Sequence, residues 1–178
     1  MACSGTNGVD RRYERLTRSD LERLASIASV EQDSFFRRNP HREYQRRRLL
    51  LAGLCQGAAR HFVDRRNGVK DFDIHFFYWR PVKERHMRCR RRVEHFVGAF
   101  GRRPIDFLRT SIRVRERVET VVTPEASLEV VRRFLRERPT AAAWRLAKNP
   151  VIRLLPVGLL GEVVWSPRMV SSERPSTS

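Results

Sequence analysis

The first apolar periodicity lies at Leu21, Leu24, Ile27 and Ala28, spaced for one face of a helix. Ser19-Asp20-Leu21-Glu22 has the form of a capping box, so the sequence predicts a helix starting at Ser19. It fades through Phe35 and Phe36 and ends before Pro40. A basic stretch, HREYQRRR (41–48), leads into the apolar run LLLAGLC (49–55). That run is read as a buried strand, although its leucines equally fit the start of a helix. GAARHFVDRR (57–66) predicts a short helix with Ala59, Phe62 and Val63 on one side, closed by Asn67-Gly68. VKDFDIHFFYW (69–79) is rich in aromatic and β-favouring residues, and it is the clearest strand in the chain.

Farther along, Val93, Phe96, Val97 and Phe100 recur at helical spacing and predict a helix over 82–100, with Gly98 and Gly101 at its exit. PIDFLRTSI (104–112) predicts a third strand. RVRERVETVV (113–122) alternates valine with charge and extends either the sheet or a ribbon. Thr123-Pro124-Glu125 is a strong helix start, predicting a helix to about Arg138 that buries Leu128, Val131, Phe134 and Leu135. A shorter helix over 140–148 follows, then a buried segment, VIRLLPVGLLGEVVW (151–165). Residues 1–16 and 166–178 are expected to be flexible tails, leaving a single domain over 17–165.

Composition adds one strong feature. The chain of 178 residues is 40% hydrophobic and carries a net charge of +17. Such a charge attracts polyanions, among them RNA, DNA, nucleotide phosphates or an acidic protein. The positive charge is nearly all arginine, since Lys70, Lys83 and Lys148 are the only lysines. Three cysteines give no disulfide framework, and a reducing compartment fits. No apolar run approaches the roughly 18–20 residues that span a bilayer. A soluble, cytoplasmic protein with no membrane partner is the expectation. His86, Cys89 and His95 are too few, and too closely ringed by arginine, to make a zinc site. The chain has no Walker phosphate loop, nucleophile elbow or dinucleotide fingerprint.

The chemistry concentrates between Cys55 and Tyr78. The order there is apolar strand, glycine turn, short helix, turn, then a strand bearing Asp71-Phe72-Asp73. Side chains two apart on a strand leave the same face, so Asp71 and Asp73 form a carboxylate pair. Two such groups repel unless a proton or cation joins them, and hard oxygen ligands suit Mg²⁺ or Mn²⁺.

This arrangement resembles the DNA polymerase beta-like nucleotidyltransferase superfamily, whose signature is glycine then glycine or serine, a helix, and Asp-x-Asp on the next strand. Gly57-Ala58 stands at the first element and Asp71-Phe72-Asp73 at the second, with alanine in place of the usual serine. The likeness runs roughly from Leu49 to Leu108. It implies a small mixed α/β sheet with helices packed on one side and extra flanking helices. It further implies that Asp71 and Asp73, with Asp106 as a third carboxylate, hold Mg²⁺ or Mn²⁺ and act in catalysis. Gly57 and Ala58 would cradle the phosphates of a nucleoside triphosphate, and Lys70 would help neutralise them. The expected activity is transfer of a nucleotidyl group to an acceptor hydroxyl. The alternative is a basic, non-catalytic nucleic-acid binder on the same scaffold.

Overall fold

A computed structural model describes residues 10–115 and 123–167. The expected tails at 1–9 and 168–178, and most of the valine–charge segment at 113–122, lie outside the described residues. Four helices and six strands follow in the order α1 (Arg18–Arg38), β1 (Leu49–Cys55), α2 (Gln56–Asp64), β2 (Phe72–Arg80), β3 (Arg88–Phe96), β4 (Arg102–Arg113), α3 (Pro124–Glu137), α4 (Ala141–Leu146), β5 (Val151–Leu155) and β6 (Val163–Trp165). The strands form one mixed sheet in the order β3-β4-β2-β1-β5-β6, in which β2 and β4 are parallel and the other neighbours antiparallel. The fold is mixed α/β, as the sequence predicts.

The helices cover both faces of the sheet rather than one. On β2, Phe72, Ile74, Phe76 and Tyr78 pack into a core with Leu21, Leu24, Ala28, Phe35 and Phe36 of α1. Phe77, from the opposite face, packs with Val131, Phe134 and Leu135 of α3 and Leu146 of α4. Strand alternation sends neighbouring side chains to opposite sides, and β2 is apolar on both. A β2 buried on both faces accounts for its near-continuous run of aromatics. Each fully buried Phe or Leu contributes roughly 1.5–3 kcal/mol.

Several boundaries shift from the sequence reading. Helix α1 starts at Arg18, capped by Thr17 rather than Ser19. The Thr17 hydroxyl accepts from the Asp20 amide at 3.2 Å, and Asp20 accepts from the Thr17 amide at 2.9 Å. Residues before it already join the fold: Arg12 pairs with Val69, and Leu16 is buried. Helix α2 closes at Arg65 in the left-handed conformation, ahead of Asn67-Gly68. The basic stretch forms a 3-10 helix, Pro40–Arg48.

The largest correction concerns 82–100, which is the strand β3 followed by a short turn and not a helix. The apparent helical repeat joined two unrelated elements. Val93 is on the strand, Phe96 is 55% exposed at its end, and Phe100 belongs to the turn into β4. What decides the matter is a nine-residue antiparallel ladder with β4, from Arg88 opposite Thr110 to Phe96 opposite Arg102. Among the described residues, no helix is long and apolar enough to cross a membrane.

Candidate functional site

The three predicted acids meet at one end of the sheet. Asp71 immediately precedes β2, which begins at Phe72 rather than residue 69, and Asp73 is its second residue. Asp106 of β4 is the direct register partner of Asp73, and Cys55 of β1 is its partner on the other side. Partners on adjacent strands project from the same face, so the Asp73 and Asp106 carboxylates are side-by-side neighbours. Because Cys55 is also the residue before α2, the first turn of that helix starts beside them.

Asp106 is 2% exposed and is held by two arginines that the sequence reading placed on a helix. Arg90 donates to both its oxygens, at 3.2 and 3.0 Å, and Arg92 donates to Oδ2 at 3.1 Å. Arg92 also lies 3.7 Å from Asp71 Oδ2, so one guanidinium bridges two carboxylates. Asp73 is different. Among the described residues it makes no hydrogen bond or ion pair, and its carboxyl is pushed up to about 7. Burial is the main cause, followed by the charges of Asp71 and then Asp106, while Arg90 and Arg92 pull the other way. A carboxyl that keeps its proton to about pH 7 through burial, and then through its like-charged neighbours, marks a place for a cation or a proton.

The floor of the site is buried. The Cys55 thiol is pushed up by burial and by Asp73, and donates weakly to the Gly53 carbonyl at 3.5 Å. His75, two residues along the same face of β2, is buried and lowered to about 4, first by burial and then by the charge of Arg145. It is therefore neutral, and its Nδ1 has no partner.

The phosphate-cradle residues divide. Gly57 is exposed, and a Cβ there would meet nothing within 4 Å, leaving the backbone open to a ligand. Ala58 is 1% exposed and packs in the core beneath α1, so its backbone and not its side chain faces the turn. No side chain caps the N-terminus of α2. Its free amides are of the kind that receive anions. Lys70 is exposed in the bend before Asp71. Arg60, farther along α2, donates to Asn149 at 2.6 Å, and Asn149 in turn donates to Gln56 at 3.1 Å. Most of the aromatics of 75–79 pack in the core, and Trp79 lies under Arg48 at 4.7 Å, leaving no base-stacking platform on β2.

Arg90 and Arg92 are the main residues that sequence reasoning missed. Their signal was the two-residue alternation of Cys89, Arg91, Val93 and His95 against Arg88, Arg90, Arg92 and Glu94. With Asp106 turned to these arginines, the described residues contain no group of three His, Cys, Asp or Glu side chains arranged to hold a metal ion. Against protein-family models, curated proteins and solved structures, the chain finds no match in any of the three comparisons.

Proposed function

We propose that this protein is a nucleotidyltransferase-like enzyme that takes a nucleoside triphosphate with Mg²⁺ or Mn²⁺ at the acidic end of the β1/β2/β4 sheet. The observation that carries this reading is the unpartnered, half-buried Asp73 carboxyl, set between Asp71 and Asp106 beside the uncapped start of α2. A hard-oxygen donor set of this kind fits a divalent ion. Asp71 and Asp73 would hold it, and Asp106 would join them as Arg90 and Arg92 turn to phosphate oxygens. Bound there, such an ion supplies charge neutralisation of the phosphates and lowers the pKa of an acceptor hydroxyl. The protein's own part is to receive phosphate oxygens on the free amides of α2 around Gly57 and Ala58. Arg90, Arg92 and Lys70 offset the remaining charge, and buried Cys55 and His75 exclude water from beneath. Guanidinium groups suit this task because their planar fork matches two phosphate oxygens at once.

Calorimetry with each of the four ribonucleoside triphosphates tests the reading. Binding should require Mg²⁺ and should weaken by at least about tenfold, or 1.4 kcal/mol, in Asp73→Asn. Binding that persists unchanged in EDTA, or in that variant, contradicts it.

A second reading, non-catalytic binding of RNA or DNA, draws on the exposed arginines of the edge strand β3. It differs in its response: salt-dependent RNA binding that survives Asp73→Asn, without any metal-dependent nucleotide binding.

A further inference from the structure

The opposite end of the same strands carries a second site of opposite sign. Strand β2 runs from Asp73 to Arg80 and β4 from Asp106 to Arg113, in parallel register throughout. Seven residues of strand separate the two ends by roughly 23 Å. At the far end lies a cavity of about 810 Å³. It falls within the 300–1,000 Å³ range usual for small-molecule sites.

Its lining has two parts. Arg80 and Arg113, direct register partners, stand beside Arg115, Arg133 and His86. Ile112 of β4 with Val130 and Phe134 of α3 form an apolar wall. Glu137 is the one acid among the described residues that line it. Charges of one sign are thus gathered against a low-dielectric surface, an arrangement that focuses a positive field into the cavity.

Arg80 is only partly satisfied. Arg80 Nε is buried without a hydrogen-bond partner, although another nitrogen of the same guanidinium donates to the Glu84 carbonyl. Its charged form is disfavoured first by burial and then by Arg113. Neither Arg113 nor Arg115 makes an ion pair or hydrogen bond through its side chain among the described residues. Several arginines elsewhere are matched to acids: Glu31 takes Arg38, Arg91 and Arg109, and Glu84 takes Arg48, although Arg103, Arg109 and Arg153 also keep buried nitrogens without a partner. Leaving the buried Arg80 nitrogen unmatched costs stability unless an acceptor reaches it, and the exposed Arg113 and Arg115 stand beside it where they can share an anion.

We propose that this cavity binds an organic phosphate monoester, its phosphate on Arg80, Arg113 and Arg115 and its apolar body against Ile112, Val130 and Phe134. A doubly charged phosphate fits better than a carboxylate because three guanidinium groups offer more donors than two oxygens can use. The site is independent of the acidic end, and it stands or falls separately from the nucleotidyltransferase reading.

Isothermal titration with 1-naphthyl phosphate, 1-naphthoate and 1-naphthol, in EDTA to silence any metal-dependent binding, tests this. The phosphate should bind at least about tenfold more tightly than the carboxylate, and the neutral naphthol more weakly still. Arg113→Ala and Arg115→Ala, both at exposed positions, should each weaken the phosphate by about threefold to tenfold. Asp73→Asn should leave it unchanged. Three results overturn the proposal: no binding by the wild-type chain, equal binding of all three probes, or full binding retained in both arginine variants. Naphthoate binding as tightly as the phosphate overturns the phosphate assignment. Loss in Asp73→Asn with retention in the arginine variants places the anion at the acidic end instead.

Discussion

Asp73 is where a single residue carries most of the functional reading, and its protonation gives a test that needs no ligand. The native carboxyl holds its proton up to about pH 7, whereas an unfolded aspartate releases it near 3.8. Between those values the native state binds more protons than the unfolded state, so stability falls as pH rises from about 4 to about 7. Asp73→Asn removes that term. In EDTA the variant should match the wild type near pH 4 and exceed it at pH 8 by on the order of 2–4 kcal/mol, seen in urea melts. A variant less stable than wild type at pH 8 contradicts the burial and like-charge crowding of this carboxylate. A smaller test at the same scale concerns the start of α1. Thr17→Ala should cost about 1 kcal/mol, because the threonine hydroxyl takes the Asp20 amide. Ser19→Ala should stay within about 0.5 kcal/mol in the same melts. The sequence contains both Thr17-x-x-Asp20 and Ser19-x-x-Glu22, and pattern alone favoured the second. Leu16, buried at 4% exposure, draws the chain in early enough to make Thr17 the cap.

At the scale of elements, the legible parts were those whose own composition dictated them. Strand β2, with its aromatic run, and α3, with its Thr-Pro-Glu start, lie close to where the sequence puts them. So does the strand–turn–helix–strand order that brings Gly57 to the acids. Strand β3 was not legible, because its character comes from pairing with β4 and not from its own residues. Gly98, with φ of 45°, sits in the turn that allows this pairing, and an added Cβ would lie 2.1 Å from Asp20 Oδ1. Reading Gly98 as the end of an element was correct, but the element itself was mistaken. Two consequences were hidden with it: Arg90 and Arg92 reach Asp106, and Arg91 reaches Glu31 at 2.7 Å. Glu31 of α1 also faces Arg109 of β4 at 3.3 Å, and the Arg109 side chain is fully buried over the rings of Phe35 and Phe76. Glu31→Ala leaves that guanidinium without a counter-charge and should cost roughly 3–5 kcal/mol. Adding Arg109→Met should restore much of the loss. A single variant that melts like the wild type would falsify the view that Glu31 ties α1 to the sheet.

Across the whole molecule, a net charge of +17 suggested a diffuse attraction to polyanions, and the fold resolves it into separate places. Two buried arginines, Arg109 and Arg153, face Glu31 and Glu162, and the exposed Arg90 reaches the buried Asp106. Others gather around the cavity at the far end of β2 and β4. The three acids of the candidate site lie at the near end of the same strands, with Arg90 and Arg92 against two of them. Composition could not foretell this arrangement, since it arises from a parallel pairing that sets Asp73 beside Asp106 and, seven residues on, Arg80 beside Arg113.

The central claim is that Asp71 and Asp73 grip a divalent ion, and manganese titration followed by electron paramagnetic resonance tests it most directly. The wild-type chain should remove one equivalent of the free Mn²⁺ signal, and Asp71→Asn and Asp73→Asn should each leave that signal in solution. An undiminished signal with the wild-type protein, or equal uptake by both variants, would contradict the account.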